Sequence, residues 1–181
     1  MAFGFVAQVR VDCARIREQR MVAIRGEGLL QRTRRWFAST PRRTFVLYPI
    51  AIFITEVFLH GDRFAFNPEG LYLMAWGYGQ YKLSGMYRTK KGGGGPGVEN
   101  PPTALVETGI YAWIRNPMYL GHLIFMTGLI VLFSSWVAIA LLAFHVWWFH
   151  QRVLEDEMHM REIFGRQFDA YAMRVKRWGL F

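Results

Sequence analysis

A long uncharged stretch dominates the hydrophobic pattern of the second half of the chain. Residues 116–151, 36 in number, contain no Lys, Arg, Asp or Glu. As one straight helix this stretch would be about 54 Å long, whereas the hydrocarbon core of a bilayer is about 30 Å thick. Because Ser134 and Ser135 interrupt it near its middle, the pattern predicts a helical hairpin with spans at 117–133 and 136–150.

Two further apolar stretches lie upstream and predict two more spans, at 44–59 and 71–87. Each carries one charged residue, Glu56 in the first and Lys82 in the second. Ionisable residues inside a span are candidates for function. These two are expected near opposite membrane faces, where they cannot pair, and reaching toward the interface explains both.

The distribution of basic residues supports four spans. Four crossings place both termini and the 88–115 segment on the same side of the membrane. That side carries twenty Lys and Arg, whereas the opposite side carries Arg63 alone. The positive-inside rule therefore predicts an all-α polytopic membrane protein with both termini in the cytoplasm. The alternative is a soluble helical protein with an apolar core.

The first 43 residues differ in composition from the rest. Val6, Val9, Cys13 and Ile16 recur at helical spacing among arginines. This pattern predicts a basic interfacial helix on anionic lipid at 1–43, preceding a single membrane domain at 44–181. A nucleic-acid-binding arm and an organellar presequence are the alternatives. A secretory signal is excluded, since no apolar core precedes a small-residue cleavage site.

Composition narrows the class of protein further. The chain has 181 residues, of which 52% are apolar, 17% aromatic and 19% charged, with a net charge of +9. The aromatic content excludes a disordered chain. Cys13 is the single cysteine, which excludes an internal disulfide or a thiolate metal cluster, and the histidines show no ligand spacing. No metal is therefore expected. Attachment to a membrane body disfavours a nucleic-acid partner.

Candidate chemistry begins just before the predicted third span. Asn116 is a suitable N-cap and Pro117 a suitable first helical residue, so the positive end of the helix dipole would lie at the cytoplasmic surface. Together with Arg115 this end suits a carboxylate, and Tyr111 and Tyr119 add aromatic surface. An aromatic belt beside a capped helix is an equally good interpretation.

A second candidate group lies where the fourth span leaves the membrane. Glu155, Asp156 and Glu157 follow Arg152, at a cytoplasmic exit where basic residues are expected. A cationic ligand would explain these acids. The alternative is an ion pair between Arg152 and Asp156, four residues apart on one solvated face. The same region predicts a C-terminal amphipathic helix at 152–178.

These pieces resemble the superfamily of isoprenylcysteine carboxyl methyltransferases and phospholipid methyltransferases. Its signature is a Leu-Val-x-x-Gly-x-Tyr-x-x-x-Arg-His/Asn-Pro-x-Tyr-x-Gly segment, a hairpin, Arg, a Glu-Glu pair and Phe-Gly-x-x-Tyr/Phe-x-x-Tyr. The matching segments here are Leu105 to Gly121, Arg152, Asp156-Glu157 and Phe164 to Tyr171. Gly77-Tyr78-Gly79 is similar to the Gly-x-Gly of phospholipid methyltransferases.

The resemblance implies S-adenosylmethionine as methyl donor, bound at the cytoplasmic face. The residues expected around it are Thr103, Ala104, Leu105, Val106, Tyr111, Arg115, Asn116, Pro117, Met118, Tyr119, Glu155, Asp156 and Glu157. Arg152 and Glu157 are the expected catalytic residues, with Arg152 orienting the acceptor. Two departures bear on this: Asp156 replaces the first Glu, for which Glu155 can substitute, and Asn116 replaces the His of the carboxyl-methylating branch.

The leading hypothesis is thus an integral membrane methyltransferase acting on a lipophilic acceptor, either an isoprenylcysteine-like carboxylate or a phospholipid amine. A membrane reductase of related fold that uses NADPH and a non-catalytic membrane protein are the alternatives. The expected location is the bacterial inner membrane with the site facing the cytoplasm. The sequence leaves the acceptor and the oligomeric state open.

Overall fold

The computed structural model describes residues 39–63, 65–93 and 102–179. The chain divides into two compact units, Met1–Arg43 and Thr44–Phe181. In the first unit the described residues form a helical turn at Thr40–Arg42. Most of the predicted interfacial helix, and most of the glycine-rich segment after Gly92, lie outside the described residues.

The second unit is built from helices. A π-helical segment at Arg43–Leu47 begins at the last residue of the first unit and continues into the second. The helices that follow it are α1, Tyr48–His60, α2, Gly70–Gly92, α3, Pro117–Phe133, α4, Trp136–Phe164, and α5, Arg166–Arg174. Short 3₁₀ turns lie at Gly61–Arg63 and Gly109–Ala112. No strand occurs within the described ranges, and the all-α prediction is confirmed.

Two helical runs are long and apolar enough to cross a bilayer: Thr40–His60 and Trp136–Phe164. Only 17% and 22% of their most apolar windows are buried inside the protein, whereas the core helix of a soluble protein would be mostly buried. Exposed Phe58 and Trp136 illustrate this outward apolar surface. These helices support an integral membrane protein, and the crossings by α2 and α3 stay predictions.

The hairpin between α3 and α4 turns at the serine pair, as predicted. Ser134 adopts a left-handed backbone conformation with φ of 49°, which ends α3. Ser135 caps α4, since its side chain accepts a hydrogen bond of 3.2 Å from the backbone N–H of Ala138. Asn67 Nδ2 reaches across from the start of α2 and donates to Ser134 Oγ at 3.1 Å.

The predicted C-terminal helix at 152–178 is wrong in its limits. Helix α4 continues without a break to Phe164, and the chain turns at Gly165, whose φ is +51°. Leaving the membrane does not end a helix, because the backbone hydrogen bonds continue until a residue such as glycine permits another conformation. Helix α5 then packs Phe168 and Tyr171 against Leu105.

Helices α2 and α3 meet along a seam of glycines. A Cβ added to Gly77 would lie 2.6 Å from the carbonyl oxygen of Gly121, and one added to Gly128 would lie 2.8 Å from that of Gly70. The glycines recur every seven residues on each helix, so their backbones touch at matching heights. This glycine seam fixes where the N-terminal end of α3 lies relative to α2.

The structure corrects the expectation for Glu56. Its side chain does not reach solvent but is buried, with the residue 4% exposed, and its Oε2 lies 3.1 Å from Nδ1 of His60 one turn later. Burial against neighbouring helices, which a single-helix argument does not include, accounts for the difference. Lys82 is exposed, with its Nζ 6.0 Å from the ring centre of Tyr78.

Candidate functional site

The N-terminal end of α3 is held by contacts to two other helices. Asn116 occupies the N-cap position, as predicted, but its side chain makes no capping hydrogen bond. Its amide instead donates to Glu157 Oε1 on α4 at 3.2 Å. From α2, Gln80 Nε2 donates to the carbonyl oxygen of Pro117 at 3.2 Å. The first turn of α3 is therefore fixed from both sides.

Tyr119 and Asp156 form the second link between α3 and α4. The Tyr119 hydroxyl donates to Asp156 Oδ2 at 2.6 Å. The other carboxylate oxygen, Oδ1, is buried and has no hydrogen-bond partner among the residues that the structure describes. The nearest cation is Arg152, whose Nε lies 3.9 Å from that oxygen. Asp156 therefore keeps acceptor capacity for a positively charged group.

Glu157 accepts three hydrogen bonds and makes a further ion-pair contact. Oε1 accepts from Asn116 and, at 3.1 Å, from Arg177 Nε, while Oε2 accepts from Arg177 Nη2 at 2.9 Å. Arg115 Nη1 lies 3.4 Å from the same Oε2. Three hydrogen bonds and one ion pair therefore engage Glu157, which leaves it less acceptor capacity than the roughly four lone-pair positions of a carboxylate provide. Its neighbour Asp156 is the acid with room for a ligand.

Arg177 reaches the site because the end of the chain crosses the segment before α3. We call residues 171–179 the C-terminal strap. The Tyr171 hydroxyl donates to the Tyr111 carbonyl oxygen at 2.7 Å, and the Arg115 backbone N–H donates to the Lys176 carbonyl oxygen at 3.1 Å. Val175 is buried between these contacts. The strap thereby covers the turn that carries Arg115.

Burial and pairing set the electrostatics of this region. Burial lowers the pKa of the Arg115 guanidinium, the Glu157 carboxylate opposes that shift, and the charge of Arg177 adds to it. Hydrogen bonds to Glu157 raise the pKa of Arg177. Burial also raises the pKa of Tyr111 to about 12. Both guanidiniums remain charged and share one carboxylate.

Arg152 lies at the edge of the cluster. Its Nη1 donates to Glu155 Oε2 at 3.3 Å, and its side chain is 47% exposed. Glu155 is more exposed still, at 61%. Asp156, and not Glu155, contacts the tyrosine of α3.

The structure separates the other predicted residues from this cluster. Thr103 and Ala104 donate to the Gly92 carbonyl oxygen at the end of α2, where Val106 also packs. Leu105 packs under α5. Met118 faces Gly85 on α2, and Tyr111 is buried with its hydroxyl donating to the Ser84 carbonyl oxygen at 3.3 Å. Their expected roles in binding a donor stay predictions.

Sequence reasoning missed two residues, Gln80 and Arg177. Gln80 is a polar residue inside an apolar span, which is a signal of a buried hydrogen bond. Arg177 lies twenty residues after its partner Glu157, beyond the turn at Gly165, so no local spacing links the two. Its one signal is that it belongs to a group of basic residues at and just after the end of α5, Arg174, Lys176 and Arg177.

The family model of phospholipid methyltransferases matches residues 69–167, more than half of the chain. The chain belongs to this family. The match runs from the start of α2 through both acids of the site and ends before the C-terminal strap. The resemblance found in the sequence is thereby confirmed.

Several curated relatives are protein-S-isoprenylcysteine O-methyltransferases. The protein of Schizosaccharomyces pombe is 32% identical over 77 residues, which cover 42% of this chain and 33% of that protein. Form B of Arabidopsis thaliana is 36% identical over 72 residues, 39% of this chain and 36% of its own. The Homo sapiens protein is 33% identical over 72 residues, 39% of this chain and 25% of its own.

This family member thus spans well under half the length of each of these three relatives. No solved structure matches the chain.

Proposed function

We propose that the chain is a membrane methyltransferase that uses S-adenosylmethionine and acts on a lipophilic acceptor. The observation that carries the proposal is the meeting of two sequence segments at one place. Asn116 and Tyr119 at the start of α3 contact Glu157 and Asp156 of α4 across the hairpin. Family membership and the names of the relatives support the same activity.

The charges in the site fit those of the proposed donor. S-adenosylmethionine carries a sulfonium, an ammonium and a carboxylate. Asp156 Oδ1 is a buried acceptor without a hydrogen bond in the described part of the chain, which suits a cation. Arg115 Nε is a buried donor that also makes no hydrogen bond in the described part of the chain, which suits an anion. Asp156 and Arg115 are thus linked through Glu157, which follows Asp156 in α4 and pairs with Arg115.

Each residue then has a role that its contacts allow. When bound, S-adenosylmethionine supplies an electrophilic methyl group. Asp156, oriented by the Tyr119 hydroxyl, neutralises positive charge and fixes its position. Glu157 is a positioning residue that holds Arg115 and Asn116 in place. Arg152 is half exposed and can pair with a carboxylate acceptor. The strap and α5 exclude water from one side, which favours alignment of the reacting groups.

The acceptor that these residues favour is an isoprenylcysteine-like carboxylate. A carboxylate acceptor is already a nucleophile and needs no base, whereas a phospholipid amine must first lose a proton. The relatives named above methylate isoprenylcysteine by name, although the family model is named for phospholipids. The apolar part of either acceptor would lie in the bilayer. The site would face the cytoplasm, in a bacterial inner membrane.

An acceptor assay tests the proposal. The full chain in nanodiscs is incubated with S-adenosylmethionine labelled in the methyl group and with either N-acetyl-S-farnesylcysteine or phosphatidylethanolamine. We expect label in the farnesylcysteine ester, which base hydrolysis releases as methanol. Stable label in the phospholipid would instead assign the amine acceptor. No label in either, together with thermal stabilisation by NADPH alone, would contradict the methyltransferase and favour the reductase.

A further inference from the structure

Two guanidiniums meet at one carboxylate oxygen beside the start of α3. Arg115 Nη1 lies 3.4 Å and Arg177 Nη2 lies 2.9 Å from Glu157 Oε2. The group therefore has one positive charge more than its negative charge. In a partly buried place, two like charges this close repel each other, and the charge of Arg177 lowers the pKa of Arg115 for this reason. A second anion would relieve that repulsion.

The cluster also has unused donor capacity. Arg115 Nε is buried and has no hydrogen-bond partner among the described residues, although each guanidinium has five N–H donors. The Arg177 side chain is 28% exposed, so a ligand can reach it. Glu157, between the two arginines, already accepts three hydrogen bonds and pairs with both guanidiniums. A carboxylate from a ligand would accept hydrogen bonds from these unused N–H donors.

We propose that Arg177 and Arg115 together bind the amino-acid carboxylate of the methyl donor, with Glu157 fixing the spacing of the two guanidiniums. This inference rests on the proposed function and extends the site to the C-terminal strap, which lies beyond the matched region of the family model. The Arg115–Lys176 backbone hydrogen bond holds the two arginines side by side. The donor site is therefore complete when the strap is docked.

The opposite arrangement would make Arg177 a competitor. If the donor's ammonium had to bind Glu157, Arg177 would block it and its removal would tighten binding. The three hydrogen bonds that Glu157 accepts, and the buried Oδ1 of Asp156 that accepts none among the described residues, argue for the ammonium at Asp156 and for the carboxylate at the arginines. The two arrangements predict changes of opposite sign for the same variant.

The test removes the positive charge of Arg177 from the protein and the negative charge of the carboxylate from the ligand. Binding of S-adenosylhomocysteine and of its decarboxylated analogue is measured by calorimetry with the full chain in nanodiscs, for the unmodified protein and for Arg177→Gln. We expect Arg177→Gln to weaken S-adenosylhomocysteine about tenfold, as for a lost charge-assisted hydrogen bond, and to change the analogue by less than about twofold. The matched control is Arg174→Gln, which removes the strap's exposed pair with Glu107.

The other outcomes distinguish a failure of the inference from a failure of the proposed function, and no change in the binding of either ligand would overturn the inference. Equal weakening of both ligands would make Arg177 a structural residue, and tighter binding would make it a competitor; both overturn the inference alone. No binding of S-adenosylhomocysteine by the unmodified protein would overturn the proposed function itself. If Arg177→Gln does not fold, Arg177→Lys carries the test. It keeps the charge without the bidentate fork, and we expect about threefold weaker S-adenosylhomocysteine binding with the analogue unchanged.

Discussion

Helix α3 contacts its neighbours in two different ways, one along the glycine seam and the other at its N-terminal end. Along the glycine seam, Gly77 of α2 meets Gly121 of α3 backbone against backbone, and the contact depends on the absence of side chains. At the N-terminal end, Asn116 and Tyr119 are held by charged groups of α4 and, through Glu157, by the strap. The seam fixes register by shape, whereas the charged end can exchange partners with a ligand.

The charged end is itself divided between two adjacent acids. Both carboxylate oxygens of Glu157 accept hydrogen bonds from protein groups, whereas Asp156 has one oxygen without a hydrogen bond in the described structure. Consecutive residues on a helix point about 100° apart, so one faces the strap and the other faces Tyr119. One acid therefore supports the structure, and the other is left for the ligand.

The largest effect is expected in the seam. Gly77→Leu would place a side chain into the backbone of Gly121, and we expect it to lower the free energy of unfolding by about 3 kcal/mol or more. Gly79→Leu is the matched control, because a Cβ there meets no described atom within 4 Å. It should change stability by less than about 1 kcal/mol. Equilibrium unfolding in mixed micelles measures both, and equal losses would contradict the close backbone contact.

Removing the carboxylate from Glu157 is expected to have the next largest effect. Glu157→Gln leaves Arg115 and Arg177 facing each other without an anion, and we expect a loss of about 2 kcal/mol, discounted for partial exposure. The comparison is Glu107→Gln, whose partner Arg174 is 64% exposed and whose loss should stay below about 1 kcal/mol. A smaller loss for Glu157→Gln than for Glu107→Gln would remove the distinction between the two ion pairs.

The smallest effect concerns alkaline pH. Folding raises the pKa of Tyr111 from about 10 to about 12 by burial, so folding favours the protonated phenol. Its contribution is complete below pH 10 and is lost as the pH rises to 12. Tyr111→Phe should lower the free energy of unfolding by about 1 kcal/mol at pH 7, because it removes the hydrogen bond to Ser84. Above pH 10 the free energy of unfolding of this variant should fall less steeply with pH than that of the unmodified protein. If the free energy of unfolding falls with pH at the same rate in both proteins above pH 10, the pKa of Tyr111 is not raised by burial.

Local signals in the sequence predicted the parts of the fold that are determined locally. Asn116-Pro117 marks the start of α3, and the serine pair marks the turn of the hairpin, because each acts on the backbone within a few residues. The end of α4 was not predicted, since Gly165 ends that helix and the membrane boundary does not. The burial of Glu56 was also missed, because it depends on neighbouring helices.

The sequence indicates which residues form the site, but it does not indicate which role each of them has. The resemblance brought Asn116, Tyr119, Asp156 and Glu157 together before any coordinates. It did not indicate which acid the protein's own donors engage, because that depends on Arg177, which reaches Glu157 only after the chain has turned and crossed the segment before α3. Contacts of this kind follow from the path of the whole chain.

Whether Asp156 holds the cationic end of S-adenosylmethionine is tested by measuring binding of that ligand to the full chain in nanodiscs, with and without Asp156→Asn. The variant keeps an oxygen for the Tyr119 hydroxyl and removes the charge. We expect saturable binding by the unmodified protein, about tenfold weaker binding by Asp156→Asn and unchanged binding by Glu162→Gln, an exposed acid on the same helix. No saturable binding, or equal affinity for Asp156→Asn and the unmodified protein, would contradict this role of Asp156.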